Sequence, residues 1–185
     1  MNVAATSQEA ILGVSRELIR QQGWSAVSIR SVAAACGVSV GTVYNYFDSK
    51  SALVGAVVES VWHEIFHRSD TGSAFSDTLS CISWMYERME RGMELYPDVF
   101  TLHSLAFLRE DKLDGRLLMQ RTWQHILEEL GSVISRDARV RADAFDGSFT
   151  VEAFASVLFS LMLSAPLRKD YDQSAVLEVA RRVLY

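Results

Sequence analysis

Apolar side chains recur at spacings of three and four along most of this chain, and the polar residues between them fall where helices start and stop. Ile11, Val14, Leu18 and Ile19 define one apolar face behind Thr6-Ser7-Gln8-Glu9. That Thr-x-x-Glu order lets a hydroxyl take an orphan helix amide while the carboxylate reaches back. Gly23 supplies the left-handed residue that ends many helices, leaving Trp24 to pack underneath. Ser28 is placed to cap a second, short helix bearing Ile29, Val32 and Ala33, which must stop near Cys36-Gly37. Past that turn Val38 tucks inward, Ser39 caps a third helix over 40–47, and Asp48 caps a fourth. From 49 to 67 the fourth carries Leu53, Val57, Val61 and Ile65 with Val54 and Val58 beside them, a stripe long enough to leave the first three helices and join something else.

Gly72-Ser73 interrupts the pattern, and Phe75, Leu79, Ile82, Tyr86, Met89 and Met93 then alternate by four and three. Pro97 forbids continuation; 98–109 reads as a short helix and 113–134 as a longer one with Leu117, Trp123, Ile126, Leu127 and Leu130. Residues 136–148 are charged and small, which predicts a loop. Residues 149–165 are apolar on nearly every side, and after Pro166 a last helix carries Val176, Val179, Ala180 and Val183. The chain is therefore expected to be all-α, with an N-terminal domain over 1–48 and a helical domain over 49–185, helix 49–67 connecting the two.

Composition narrows this further. With 49% hydrophobic and 22% charged residues in 185, the chain can bury a core, and two prolines and ten glycines are too few for an all-β domain. The formal charge of −5 argues against a protein that coats nucleic acid through a uniformly basic surface. The acid is uneven: residues 1–50 are net +1 and residues 51–185 net −6. Cys36 and Cys81 lack metal or redox spacing and read as small apolar residues. No cationic-then-apolar leader opens the chain, and the most apolar uncharged stretch, 153–167, falls short of the roughly 20 residues that span a bilayer. A cytoplasmic protein with no membrane partner is expected.

On spacing alone, the second and third helices packed through Ile29, Val32, Val38, Val43 and Phe47 fit either a helix-turn-helix or an ordinary αα-hairpin. The residues decide more than the spacing. Ala33-x-x-x-Gly37-Val38-Ser39, Gly41-Thr42-x-Tyr44-x-Tyr46-Phe47 and Ser49-Lys50-x-x-Leu53, in this order, closely resemble the DNA-binding domain of TetR-family transcriptional regulators. The resemblance covers positions 8–60 and gives topology only beyond about 65. It implies a helix-turn-helix head joined by a long helix to a divergent body that binds ligand and dimerises, about nine helices per chain. It also implies that Ser28 and Thr42 bond phosphates, that Tyr44 and Tyr46 contact the backbone or a base edge, and that Lys50 pairs with a phosphate.

The third helix departs from many relatives in having Val40 and Asn45 and no Lys or Arg, so charge contacts are few and salt dependence should be weak. The base readers then reduce to Arg30, Asn45, Tyr44 and the methyl groups of Thr42 or Val40, with Ser39 at the helix start. Tyr44 and Tyr46 lie on a different side from Val43 and Phe47 and should be on the surface.

His63-Glu64-Ile65-Phe66-His67 matches His-Glu-x-x-His, the zinc-protease order. A working site needs a third ligand, and the remaining His103 and His125 stand outside the known extensions, so a solvated helix end is expected, without catalytic residues, metal or cofactor. The body holds Trp84, Tyr86, Phe100, His103, Phe107, Met119, Trp123 and Met162, an inventory suited to an apolar, partly aromatic cavity, with Trp84, Phe100, His103, Phe107 and Trp123 the expected ligand residues. Phe100, His103 and Phe107 recur by three and four, placing them on one face of the helix after Pro97. Phe154, Val157, Leu158, Leu161 and Met162, with Val176, Val179 and Val183, offer more apolar surface than one chain's core can face and predict a two-fold, four-helix interface.

The expected function is a homodimeric repressor that binds a pseudo-palindromic double-stranded operator and leaves it when a small apolar or amphipathic effector binds. The alternatives are a zinc metallopeptidase through His63, Glu64 and His67, or a helical interaction protein with a vestigial DNA-binding head.

Overall fold

The computed structural model describes residues 6–66, 75, 77–97 and 114–185, with the side chains at 114–120 and 122 excepted. It is all-α, with eight α-helices and no strand among the described residues. Two compact units divide it: Met1–Glu64 with Met93–Met119, and Ile65–Gly92 with Gln120–Tyr185. The expected short helix over 98–109 and the break at Gly72-Ser73 lie outside the described residues.

In the first unit, α1 spans Gln8–Gln22 and a single 3-10 turn, Trp24–Ala26, follows it. The cap of α1 is Ser7 rather than Thr6: the Ser7 hydroxyl accepts from the Ala10 amide at 3.1 Å, and Glu9, instead of reaching back, pairs with Arg16 at 3.0 Å. Gly23 ends α1 at φ 79°, a region closed to most side chains, and delivers Trp24 into the core. α2 spans Ile29–Cys36 with a reciprocal Ser28/Ser31 capping box, and Gly37 closes it in the left-handed region at φ 67°. α3, Val40–Tyr44, is shorter than the predicted 40–47 and is capped by the Ser39 hydroxyl. α4 spans Lys50–Phe66. Its cap is Ser49, whose hydroxyl accepts from the Ala52 amide at 3.0 Å, one residue past the expected Asp48. Ile11, Ile19, Val32, Val43, Phe47, Leu53 and Val57 form the core of this unit, with α2 packed on both α1 and α3.

The second unit contains most of α5 (Thr78–Leu95), the later part of α6 (Asp114–Arg136), α7 (Val151–Arg168) and α8 (Ser174–Leu184). Gly92 is buried on α5 because Ile65 lies against it: a Cβ there would fall 2.6 Å from Ile65 Cγ1. A polar staple joins distant segments. Asp137 accepts from the Thr78 amide at 2.9 Å and from the Tyr185 hydroxyl and the Arg139 side chain, while Arg139 also reaches Asp77 at 3.1 Å.

α7 runs past the expected end because Pro166 sits in its last turn, and Lys169 in the left-handed region closes it. At 18 residues it is long and apolar enough, by length and composition alone, to cross a bilayer. One side of it is nevertheless core, since Phe154, Ala155, Leu158, Phe159 and Met162 are all buried. Its exposed side sets Ser156 and Ser160 beside Val157 and Leu161.

Candidate nucleic-acid interface

The Gly37 turn fixes the angle between α2 and α3, and burial of Val43 (0% exposed) and Phe47 (4%) decides which side of α3 turns outward. That outer side presents Val40, Tyr44 and Asn45. Tyr44 and Tyr46 are both on the surface, as their register requires. The Tyr46 hydroxyl donates to the Thr6 carbonyl at 2.6 Å, so this ring is tied to the segment entering α1. Ser28 is half-buried and its hydroxyl accepts from the Ser31 amide; Ser39 is exposed, accepts from the Thr42 amide at 3.0 Å and shares a hydrogen bond with the Thr42 hydroxyl at 2.9 Å. Arg30, in the first turn of α2, and Lys50, the first residue of α4, are exposed.

The head's cations are not equivalent. Arg16 Nε pairs with Glu64 Oε2 at 2.9 Å, and Arg20 pairs with Glu17 at 3.2 Å and with Glu64. Tyr96, fully buried, donates its hydroxyl to Glu64 Oε1 at 3.0 Å and accepts from Arg20 at 2.6 Å. Burial, reinforced by that bond to Glu64, pushes the Tyr96 phenol up to about 12. Among the described residues, Arg30 and Lys50 stand in no ion pair, which leaves them as the head's uncommitted positive charge.

This network replaces the solvated helix end expected at 63–67. Glu64 is only half-exposed and holds two guanidinium groups and a phenol, whereas His63 is exposed and His67 lies outside the described residues. The four-residue spacing of Arg16 and Arg20 puts both on one face of α1. Nothing in the sequence says that their shared partner is Glu64, 44 residues beyond Arg20.

Of the expected ligand residues, Trp84 is half-buried against Phe66 and Phe75, with ring centroids 6.1 and 5.4 Å away, and Trp123 lies edge-on to Phe159 at 5.8 Å. Phe100, His103 and Phe107 lie outside the described residues. Tyr86, on the same helix as Trp84, is 2% exposed, and its hydroxyl has no hydrogen-bond partner among the described residues. Burial pushes that phenol up. Of the expected interface residues, Phe154, Leu158, Met162 and Val176 face the chain's own interior and Val183 is half-buried. Val157, Leu161 and Val179 are exposed at 48%, 37% and 46%.

Comparison with known proteins bears on the head above all. Residues 11–57 match the family described as bacterial regulatory proteins, tetR family. The HTH-type transcriptional regulator UidR of Escherichia coli K12 is 33% identical over 55 residues, 30% of this chain and 28% of UidR. The HTH-type transcriptional repressor KstR of Mycolicibacterium smegmatis is 27% identical over 105 residues, 56% of this chain and 52% of KstR. The matches thus span about a quarter and about half of these regulators. Over nearly its full length the fold resembles that of BioQ bound to its double-stranded DNA operator, with a TM-score of 0.63 at 18% identity, covering 97% of this chain and 98% of that one.

Proposed function

We propose, for a chain that belongs to the tetR family of bacterial regulatory proteins, that it works as a cytoplasmic, homodimeric repressor of transcription. It binds a pseudo-palindromic operator and leaves it when a small apolar or amphipathic molecule binds the helical body. The observation that carries this reading is the outer side of α3. Val40, Tyr44 and Asn45 face outward over a buried Val43 and Phe47, and the uncommitted Arg30 and Lys50 stand at the start of α2 and of α4. Cations and hydroxyls position a protein on phosphates, and side chains projecting from a recognition helix read base edges.

In this reading residues 1–48 bind DNA, with Ser28, Ser39, Thr42, Tyr46 and Lys50 at phosphates and Arg30, Val40, Tyr44 and Asn45 toward the bases. Residues 49–185 dimerise and bind the effector. The exposed Val157, Leu161 and Val179 are the surface a second copy covers, backed by Phe154, Leu158, Met162, Val176 and Val183. Trp84 and Trp123 supply aromatic walls for the effector, and the open Tyr86 hydroxyl supplies one hydrogen bond. The effector acts only through its different affinity for two arrangements of the heads, since equal affinity shifts nothing. Among the described residues the zinc-peptidase reading is disfavoured, because the carboxylate that would activate water is held by Arg16, Arg20 and Tyr96.

The test is retention of fragments of the source genome by the purified chain, followed by mobility shifts on the retained duplex. Lys50→Ala and Thr42→Val weaken binding to all operator variants alike, whereas Asn45→Ala and Arg30→Ala also relax preference at particular bases. A folded wild-type chain that retains no fragment, or a Lys50→Ala chain that binds as wild type does, overturns the reading.

A further inference from the structure

The chemistry that α3 exposes restricts the base pairs it can read. Val40 and Tyr44 are four residues apart, hence neighbours on one side of the helix, and are 40% and 47% exposed. Asn45 follows, and no Lys or Arg occurs between residues 31 and 49. An exposed isopropyl group neither donates nor accepts a hydrogen bond, so it gains nothing from the O6 and N7 acceptors of guanine or the N4 donor of cytosine. The apolar feature of the major groove is the C5 methyl of thymine. The Asn45 amide is matched to adenine, whose N6 donor and N7 acceptor it can engage together. Both side chains therefore ask for A·T pairs.

The charge distribution points the same way. Of the four cations in residues 1–50, Arg16 and Arg20 are committed to Glu9, Glu17 and Glu64, leaving only Arg30 and Lys50 free to meet DNA. With two cations per head and two heads, the electrostatic share of binding is small and base contacts must carry more of it. The logarithmic salt slope that follows is no steeper than about −3.6, shallow for an operator-binding dimer.

Resting on the DNA-binding reading above, we propose that this head selects its operator through apolar contact of Val40, with Tyr44 beside it, on a thymine methyl in an A·T-rich half-site. Val40 is a specificity-determining residue, and its exposure means that changing it leaves the core of the head untouched.

Deoxyuridine tests this directly, because it pairs as thymine does and lacks only the methyl group. Each thymine of the duplex retained from the source genome is replaced singly by deoxyuridine, and binding is measured for wild type, Val40→Ala and Val40→Thr. For wild type, one position in each half-site weakens binding about fourfold, the worth of one buried methyl. Val40→Ala binds the thymine and deoxyuridine duplexes at that position alike, and Val40→Thr keeps part of the discrimination. The inference is overturned if no thymine-to-deoxyuridine change matters, if the sensitive position stays as sensitive in Val40→Ala as in wild type, or if the wild-type salt slope is steeper than about −7. Failure to retain any duplex overturns the DNA-binding reading itself, and the inference with it. A retained duplex that is indifferent to the methyl group overturns the inference alone.

Discussion

Replacing Glu64 by Gln removes the charge on which two segments of the first unit and Tyr96 converge. Glu64 Oε2 faces Arg16 at 2.9 Å, and Oε1 takes both Arg20 and the Tyr96 hydroxyl, the latter at 3.0 Å. The Arg16, Arg20 and Glu64 side chains are 17%, 32% and 34% exposed, so water screens the ion pairs and each contributes about 0.5 to 1 kcal/mol rather than the several expected of a buried pair. Tyr96 is fully buried, and its bond to a carboxylate adds about 1.5 kcal/mol, part of which Gln retains by offering an amide oxygen. Glu64→Gln should therefore lose about 2 kcal/mol, and Tyr96→Phe about 1.5 kcal/mol. Because both deletions touch one network, the double variant should lose about 1 kcal/mol less than their sum. Urea unfolding followed by circular dichroism measures all three differences, and repeating it in 0.5 M salt should narrow the Glu64→Gln gap. A Glu64→Gln chain within about 0.5 kcal/mol of wild type, or strict additivity with Tyr96→Phe, refutes this account of residue 64.

Further expectations follow from single contacts. Among the tyrosines that ionise late in a spectrophotometric titration, the component near pH 12 should vanish in Tyr96→Phe; because the folded value of about 12 lies above the ordinary one, its stability is present below about pH 10 and fades as pH rises toward 12. Burial works against ionisation of Asp137, yet hydrogen bonds from Arg139, Tyr185 and the Thr78 amide outweigh it and hold the carboxyl well below the usual range. Asp137→Ala should cost about 3 kcal/mol, or roughly 6 to 12 °C in melting temperature, and the wild-type contribution should fade as pH falls below about 4. Gly92→Ala drives a methyl into Ile65 and should destabilise by about 1 to 3 kcal/mol, with Ile65→Ala, which removes all three clashing atoms, making the two changes less than additive in thermal melts. Leu161→Glu should give folded monomers by sedimentation with unchanged helix content, because that side chain is exposed in the single chain.

The head was legible because its signals are local. Ser28, Gly37 and Ser39 act where their chemistry places them, and the alternation of Val43 and Phe47 with Tyr44 and Tyr46 sorts itself into core and surface. The caps misplaced by one residue, Thr6 for Ser7 and Asp48 for Ser49, sit in runs where neighbouring residues have the same capping chemistry. Long-range polar partners were not legible: Tyr96 meets Arg20 across 76 positions, and Tyr185 meets Asp137 across 48. α7 hid its faces for a different reason. Apolar nearly all round, it gave no period by which to separate the buried Phe154, Leu158 and Met162 from the exposed Val157 and Leu161.

The most direct test of the central claim is selection from a pool of randomised DNA duplexes by the purified chain. The account predicts enrichment of one inverted repeat, rich in A·T pairs at corresponding positions of its two halves, with two chains bound per duplex, a spacing of half-sites near a whole helical turn or a multiple of it, and a changed consensus for Asn45→Ala. A chain that is folded and helical in solution yet enriches no sequence over the starting pool contradicts it.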